Sequence, residues 1–333
     1  MFQHPIRLSR LLSLAGLLLS HYASAAGPGT TAATFLNLGY GARPIGLSEA
    51  FVAISNDASA LHYNPAGLAY PGAYETGRGR YEMLVAHSVH IQDIQMTQMG
   101  FVARPFGMSL THLNLGGLEQ RVSESKDPDG NFGASDTALG LSGAHQFFGV
   151  GLGATFKYIR QTIGANSASA YALDFGALRR LESVPVSLGA GIFNLGTDVR
   201  FLEQSYPLPR TLRAAVAYGM TSKFPHALTL QLDFPRDLGP ALRLGAEYLG
   251  FGPFALRAGY RTHTNEQKTA ALGKALGTTA SGISEFYGMF MGAGFISRFG
   301  NLDYAIVPYG ELGTTHRFSF TLKFGAKPGV KSR

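Results

Sequence analysis

The chain has 333 residues, 45% of them hydrophobic and only 15% charged, with 43 glycines and neither cysteine nor tryptophan. The missing cysteines exclude disulfides and thiolate metal sites. A formal charge of +7 spread along the chain makes no nucleic-acid patch. Few charges, much glycine and many rings (23 Phe, 15 Tyr) suit a membrane β-barrel, where Tyr and Phe would have to build any aromatic girdle in place of tryptophan.

The first residues read as a secretory signal over residues 1–25. Arg7 and Arg10 make a basic head, residues 11–19 an apolar core, and Ala23-Ser24-Ala25 a small-residue cleavage site. The apolar run is too short for a spanning helix, which needs about 20 residues. No later stretch is long and apolar enough either, so an exported chain of this kind is periplasmic, secreted or an outer-membrane barrel.

Residues 39–70 differ in texture from everything after them and read as a compact insert without a sheet. Asn56 or Asp57 is placed to cap a helix running through Tyr63, which should stop at Asn64 because Pro65 disfavours helix there. Pro65 then starts another turn, which Gly67 ends.

From Tyr81 onward fourteen strands are expected, at 81–89, 94–103, 106–115, 136–146, 149–160, 169–178, 185–194, 210–219, 226–234, 241–249, 253–261, 288–297, 300–307 and 315–324. The pattern is clearest at 226–261, where Leu228, Leu230 and Leu232 alternate with Thr229, Gln231 and Asp233. A period of two marks a strand with one apolar and one polar face. Mid-strand Arg243, Glu247, Arg257 and Arg261 are awkward for a soluble sandwich, but suit a wet interior behind a lipid-facing wall. Connection lengths agree. After even-numbered strands they are short, whereas the long connections 116–135, 195–209 and 262–287 all follow odd-numbered ones. Short periplasmic turns, long outer loops and an even strand count that returns both termini to the periplasm describe a closed antiparallel transmembrane β-barrel. A soluble sandwich or propeller should carry fewer inward charges, and a solenoid would show a fixed repeat.

Two motifs resemble a known family. Residues 41–53 with Asn56-Asp57-Ala58-Ser59-Ala60-Leu61-His62-Tyr63-Asn64-Pro65-Ala66-Gly67-Leu68-Ala69, and the late stretch from Asp303-Tyr304-Ala305 through Pro308-Tyr309-Gly310-Glu311-Leu312-Gly313 to Thr315-His316-Arg317, look like the PorV/PorQ family, a branch of the FadL-like outer-membrane barrels. The resemblance implies a fourteen-stranded barrel at 81–324, a plug folded into it from residues 26–80, and a periplasmic tail at 325–333. In PorV relatives the barrel receives secreted cargo proteins for type IX secretion and surface attachment. In FadL relatives it admits hydrophobic small molecules. The Asn64-Pro65-Ala66-Gly67 signature belongs to both branches.

The candidate sites follow from these readings. Asn56, Asp57, Asn64, Pro65, Ala66 and Gly67 are candidates for the gating tip of the plug, with an ordinary helix-ending turn as the plain alternative. Arg213, Asp233, Arg243, Glu247, Arg257, Arg261, Asp303, Arg317 and Lys323 should face the lumen, either as an ion-pair network holding the plug or as a path for a carboxylate. Asp127-Pro128-Asp129-Gly130-Asn131 lacks the closing Glu of a calcium loop and reads as a turn. His87, His90, His112, His145 and His316 have no metal-site spacing, and no G-x-S-x-G elbow is present. The chain is therefore expected to be no enzyme and to take no cofactor or metal. Its expected partners are the lipid bilayer, with secreted cargo or hydrophobic small molecules beside it, and no nucleic acid.

Overall fold

A computed structural model describes residues 27, 29–70, 78–89, 94–120, 128–181, 183–219, 224–263, 286–310 and 313–326. The strands are β1 (Arg78–Val89), β2 (Gln95–Ala103), β3 (Phe106–Gln120), β4 (Gly130–Phe147), β5 (Val150–Ile163), β6 (Asn166–Arg180) and β7 (Val186–Gly196) in the first half. The short β8 (Val199–Phe201) and β9 (Gln204–Tyr206) follow, then β10 (Thr211–Gly219), β11 (Ala227–Pro235), β12 (Ala241–Phe251), β13 (Phe254–Arg261), β14 (Met289–Ile296), β15 (Gly300–Pro308) and β16 (Thr314–Ala326). Fourteen of these close into an antiparallel barrel in which sequence neighbours pair and β1 returns to β16, with Tyr81 opposite Phe324 and Val89 opposite His316. Closure leaves no edge strand unpaired, which a lipid environment requires.

Alternation decides which side chain goes where. Along β11, Leu228, Leu230 and Leu232 point out while Thr229, Gln231 and Asp233 are buried. Leu244 and Tyr248 of β12, Leu256 of β13, and Phe318, Phe320 and Phe324 of β16 continue the apolar exterior. Leaving one such side chain in water instead of an apolar medium forfeits about 1.5–3 kcal/mol. An Arg on this surface at the bilayer midplane would cost about 2–4 kcal/mol. Rings gather near both rims: Tyr81, Phe101 and Phe324 at one, Tyr304, His316 and Phe318 toward the other.

Before β1 the chain fills the lumen. A 3-10 turn (Thr34–Asn37), a short helix (Ala42–Gly46), a second helix (Ala60–Tyr63) and a 3-10 turn (Pro65–Ala69) stack inside the barrel without a strand among them. Tyr40, Leu47, Phe51, Leu61, Tyr63 and Leu68 pack together and against Leu84, Val102 and Ala217 of the wall. This segment starts at the mouth that carries the long connections: Ala32 N–H donates to Pro207 O at 3.0 Å and the Thr31 hydroxyl to Asp237 at 2.5 Å. It ends at the short-turn mouth, where the Tyr70 hydroxyl donates to Leu178 O at 2.7 Å.

Several local expectations change. The helix begins at Ala60, not at residues 56–57; Asp57 instead accepts from Ser59 N–H at 2.8 Å in a tight local turn. The turn after Pro65 continues past Gly67 to Ala69, capped by the Asn64 side chain accepting from Ala66 N–H at 3.1 Å. The helix Ala42–Gly46 was not foreseen, because five residues cannot display a helical period. The β3–β4 and β5–β6 hairpins rise well beyond the expected strands, leaving only residues 164–165 between β5 and β6. Gly130 and Asn131, read as a turn, belong to β4, with Asn131 opposite Glu119; Asp127 lies outside the described residues. The connection 195–209 contains the β8–β9 ribbon. Arg78 and Ala326 do sit side by side at the short-turn mouth. The described N-terminal residues lie at the opposite mouth, because the segment before β1 crosses the whole lumen. Residues 1–26, 264–285 and 327–333, and with them the leader and most of the tail, lie outside the described residues.

Candidate functional site

One side of the lumen-filling segment is held by charge. Arg43, 2% exposed, faces Glu247 in a forked pair, with Nε and Nη2 donating to the two carboxylate oxygens at 3.0 and 2.8 Å. Its Nη1 donates to Asp57 at 2.6 Å and to Asn56 Oδ1 at 2.8 Å. From Glu247 the chain of charges runs on to Arg257 at 2.7 Å and from Arg257 to Asp303 at 2.8 Å. A second group sits nearer the long-loop mouth. Arg243 Nε donates to Asp233 at 2.6 Å, and its Nη1 donates to Ser48 O at 2.7 Å and lies 3.4 Å from Glu49. Gln231 joins this group, accepting from Val52 N–H at 3.1 Å and donating to Asp233 at 2.8 Å. Buried pairs of this kind contribute little net stability against apolar replacements, yet removing one partner strands the other, so their effect is to fix position.

Ser48 and Glu49, held by Arg243, both adopt left-handed backbone, with φ of 53° and 63°. Non-glycine residues visit that region rarely, at a cost on the order of 1–3 kcal/mol each when the surroundings enforce it.

The opposite side of the segment is held by shape. Where it touches β5, β6 and β7, the wall residues are Gly153, Gly176 and Gly189, and a Cβ on any of them would fall closer than 3.0 Å to the segment; Gly259 of β13 makes the same close approach on the charged side. Gly153 faces Pro65 and Ala66, and Gly176 faces Asn64. The Asn64 amide also donates to Val52 O at 2.9 Å and to Ala177 O at 3.0 Å, tying the turn both to its own segment and to β6.

Between the segment and the long-loop mouth lies a cavity of about 320 Å³. Asn37, Leu38, Gly39 and Glu49 form its floor, and β10–β16 supply the walls. Its charged lining is Arg213, Arg243, Arg261 and Arg317 against Asp233 and Glu49, with His263 at the rim, its ring tilted against that of Tyr287. Phe290, Val307 and Leu238 add apolar surface.

The structure divides the residues singled out from sequence into four places. Asn56, Asp57, Glu247, Arg257 and Asp303 meet around Arg43. Arg213, Asp233, Arg243, Arg261 and Arg317 surround the cavity, where Arg317 Nη1 donates to Gly39 O at 2.8 Å. Asn64, Pro65, Ala66 and Gly67 lie across the lumen on the glycine side, and Lys323 is buried opposite Glu82 of β1. Sequence reasoning missed Arg43, Glu82, Arg104, Lys157 and Asp174. Arg104 pairs with Glu82 at 2.7 Å and Lys157 with Asp174 at 2.6 Å. Glu82, Lys157 and Asp174 occupy inward mid-strand positions, so the rule that found Arg243 would have found them. Arg43 had no such signal, because nothing periodic surrounds it.

Four groups on the segment titrate away from their ordinary values, and burial pushes two of them, the Tyr40 and Tyr63 phenols, well up. Burial by itself would push Asp57 up, but Arg43, through its charge and hydrogen bond, outweighs that and holds the carboxyl below the usual range. Burial, with the nearby charges of Lys157 and Arg213, pushes His62 well below its ordinary value, so it is neutral in the fold. His62 stacks on Tyr40 with ring centres 5.5 Å apart.

Comparison with solved structures places the fold. The Ralstonia pickettii toluene transporter TbuX is similar over 86% of this chain and 99% of its own, with TM-score 0.54 and 12% identity. The Pseudomonas putida toluene transporter TodX is similar over 85% of this chain and 96% of its own, with TM-score 0.52 and 11% identity. The CymD monoaromatic hydrocarbon channel is similar over 86% and 98%, with TM-score 0.53 and 12% identity. At such identities the likeness is one of fold. No curated protein matches the sequence. The model of the family described as "Uncharacterised protein family (UPF0164)" matches residues 21–174, which take in the whole lumen-filling segment and the wall from β1 into β6.

Proposed function

We propose that this protein is an outer-membrane barrel that admits small, largely apolar molecules from outside the cell, with the N-terminal segment as its gate. The observation that carries this reading is the chamber of about 320 Å³ in the lumen, which lies at the long-loop mouth and is floored by that segment. The likeness of fold to two toluene transporters and a monoaromatic hydrocarbon channel supports it. In this reading the signal at residues 1–25 directs export, the short turns face the periplasm and the long connections face outward.

Every neighbouring strand pair of the barrel is hydrogen-bonded and the segment fills the lumen beneath the chamber, so passage requires the segment to shift. The plug role proposed for Asn56, Asp57 and residues 64–67 would then lie in movement away from Arg43 or from the glycine wall. An engineered pair tests this directly, since the chain has no cysteine of its own. Ala42 N–H donates to the Ser319 hydroxyl at 2.9 Å, so Ala42→Cys with Ser319→Cys should lock segment to wall. Uptake of labelled toluene by cells making this variant should fall when the pair is oxidised and recover on reduction. Equal uptake in both states removes the gate, and no dependence of uptake on the protein removes the transport reading.

A role in secretion and surface attachment of cargo proteins rests on the late motif. Two of its residues have structural work instead: Asp303 holds Arg257, and Arg317 holds Gly39. Periplasmic retention of secreted proteins after deletion would favour that role over transport.

A further inference from the structure

Among the described residues that line it, the chamber at the long-loop mouth carries more guanidinium groups than carboxylates. Four guanidinium groups face two carboxylates, and the carboxylates are not shared evenly. Asp233 receives Arg243 Nε at 2.6 Å but lies 3.8 Å from Arg213 Nε, and Glu49 lies 3.4 Å from Arg243. Arg213 instead rests over the Phe193 ring at 4.9 Å, and its Nε has no hydrogen-bond partner. Arg261 makes no ion pair among the described residues, and its Nε is likewise buried without a partner. A buried donor left unmet is costly, and more so when it is charged. A protein that merely filled its lumen would place apolar side chains there.

We propose that this chamber is a binding site for a small organic carboxylate, whose charged end is taken by Arg261 and Arg213 and whose apolar body lies against Phe290 and Val307. Guanidinium offers the planar, forked donor set that matches a carboxylate. The volume, about 320 Å³, is at the lower end of the range of about 300–1,000 Å³ for small-molecule sites. It fits a benzoate-sized anion, and Glu49 and Asp233 repel one with a second charge. The site goes beyond the transport reading, because a barrel that moves nothing across the membrane can still hold an anion.

Calorimetric titration of the purified full barrel in a non-ionic detergent, at low salt, separates the alternatives. Benzoate should bind at least tenfold more tightly than benzamide, its neutral isostere, and benzylammonium should not bind. Raising the ionic strength from low to physiological should weaken benzoate several-fold, since partly open sites are screened. Arg261→Gln should weaken benzoate at least tenfold and leave benzamide unchanged, while Arg261→Lys, which keeps the charge but loses the fork, should fall between. If Arg261→Gln does not fold, Arg213→Gln takes its place with the same expectation. Equal binding of benzoate and benzamide overturns the site, as does an affinity indifferent to salt or to both arginines. Toluene uptake that persists while benzoate fails to bind would sink this site and leave the transport reading standing.

Discussion

The wall made by β5, β6 and β7 and the wall made by β11, β12, β13 and β15 hold one N-terminal segment by opposite means. On the first, Gly153, Gly176 and Gly189 let two backbones touch. On the second, Glu247, backed by Arg257 and Asp303, grips Arg43, while Arg243, backed by Asp233, grips Glu49 and Ser48 O. Contact by shape has no long-range component and fails when an atom is added. Contact by charge tolerates small displacements but fails when a partner is neutralised. A gate that must release on one side and stay seated on the other gains from having both, and the charged side also borders the chamber.

Breaking the charged side should have the largest effect. Glu247→Gln takes away the carboxylate that Arg43 and Arg257 share, leaving Asp57 to the first and Asp303 to the second, and with these charged hydrogen bonds weakened stability to urea in lipid vesicles should fall by about 3–5 kcal/mol. A loss under 1 kcal/mol would mean that the segment is held by shape alone. Breaking the other wall comes next: Gly176→Val drives a side chain into Asn64, which should lower stability by about 1–3 kcal/mol. Gly116→Val, on a glycine with open space around it, should change stability little and serves as the control. A seat that absorbs valine without loss would show that the segment is loosely docked. Smaller still, Asp303→Asn removes one charge from an Arg257 that keeps Glu247, and the same urea assay should register about 1 kcal/mol.

The gentlest probe is pH. His62 is neutral in the fold because its value is depressed, whereas the unfolded chain takes up a proton below the ordinary value of 6.5. Stability is therefore fully present above pH 6.5 and is lost progressively as pH falls below it. Asp57, also depressed, adds a loss of the same sign at lower pH, below the ordinary carboxylate value of 3.8. Replacing His62 with Gln should flatten the dependence between pH 6.5 and 5 in thermal unfolding. An unchanged slope would place the sensitive group elsewhere.

Much of the wall was legible because strand geometry is local. A period of two assigns each residue to one face, and Arg243, Glu247 and Arg257 stood out as charges at positions whose neighbours were apolar. Connection lengths then separated the two mouths without reference to any long-range contact. The site was less legible. Ser48-Glu49, the Ala42–Gly46 helix and the Asn64 turn take their shape from the wall around them, and short irregular backbone has no repeating signal to read. The glycines of β5 and β6 do not signal what meets them, since their partners lie more than 80 residues earlier in the chain: Gly153 receives Pro65, and Gly176 receives Asn64.

By itself the sequence determined the number of strands, which faces turn outward and which end carries the long connections, since each follows from the chemistry of residues two apart. Only the tertiary structure decided that Arg43 is the hub of the charged wall, that Arg261 makes no ion pair among the described residues, and that the segment begins at the mouth opposite the strand ends. Those outcomes depend on which side chains meet after the sheet closes. Closure joins residues some 200 positions apart, such as Arg43 and Glu247, and neither one signals the other along the chain.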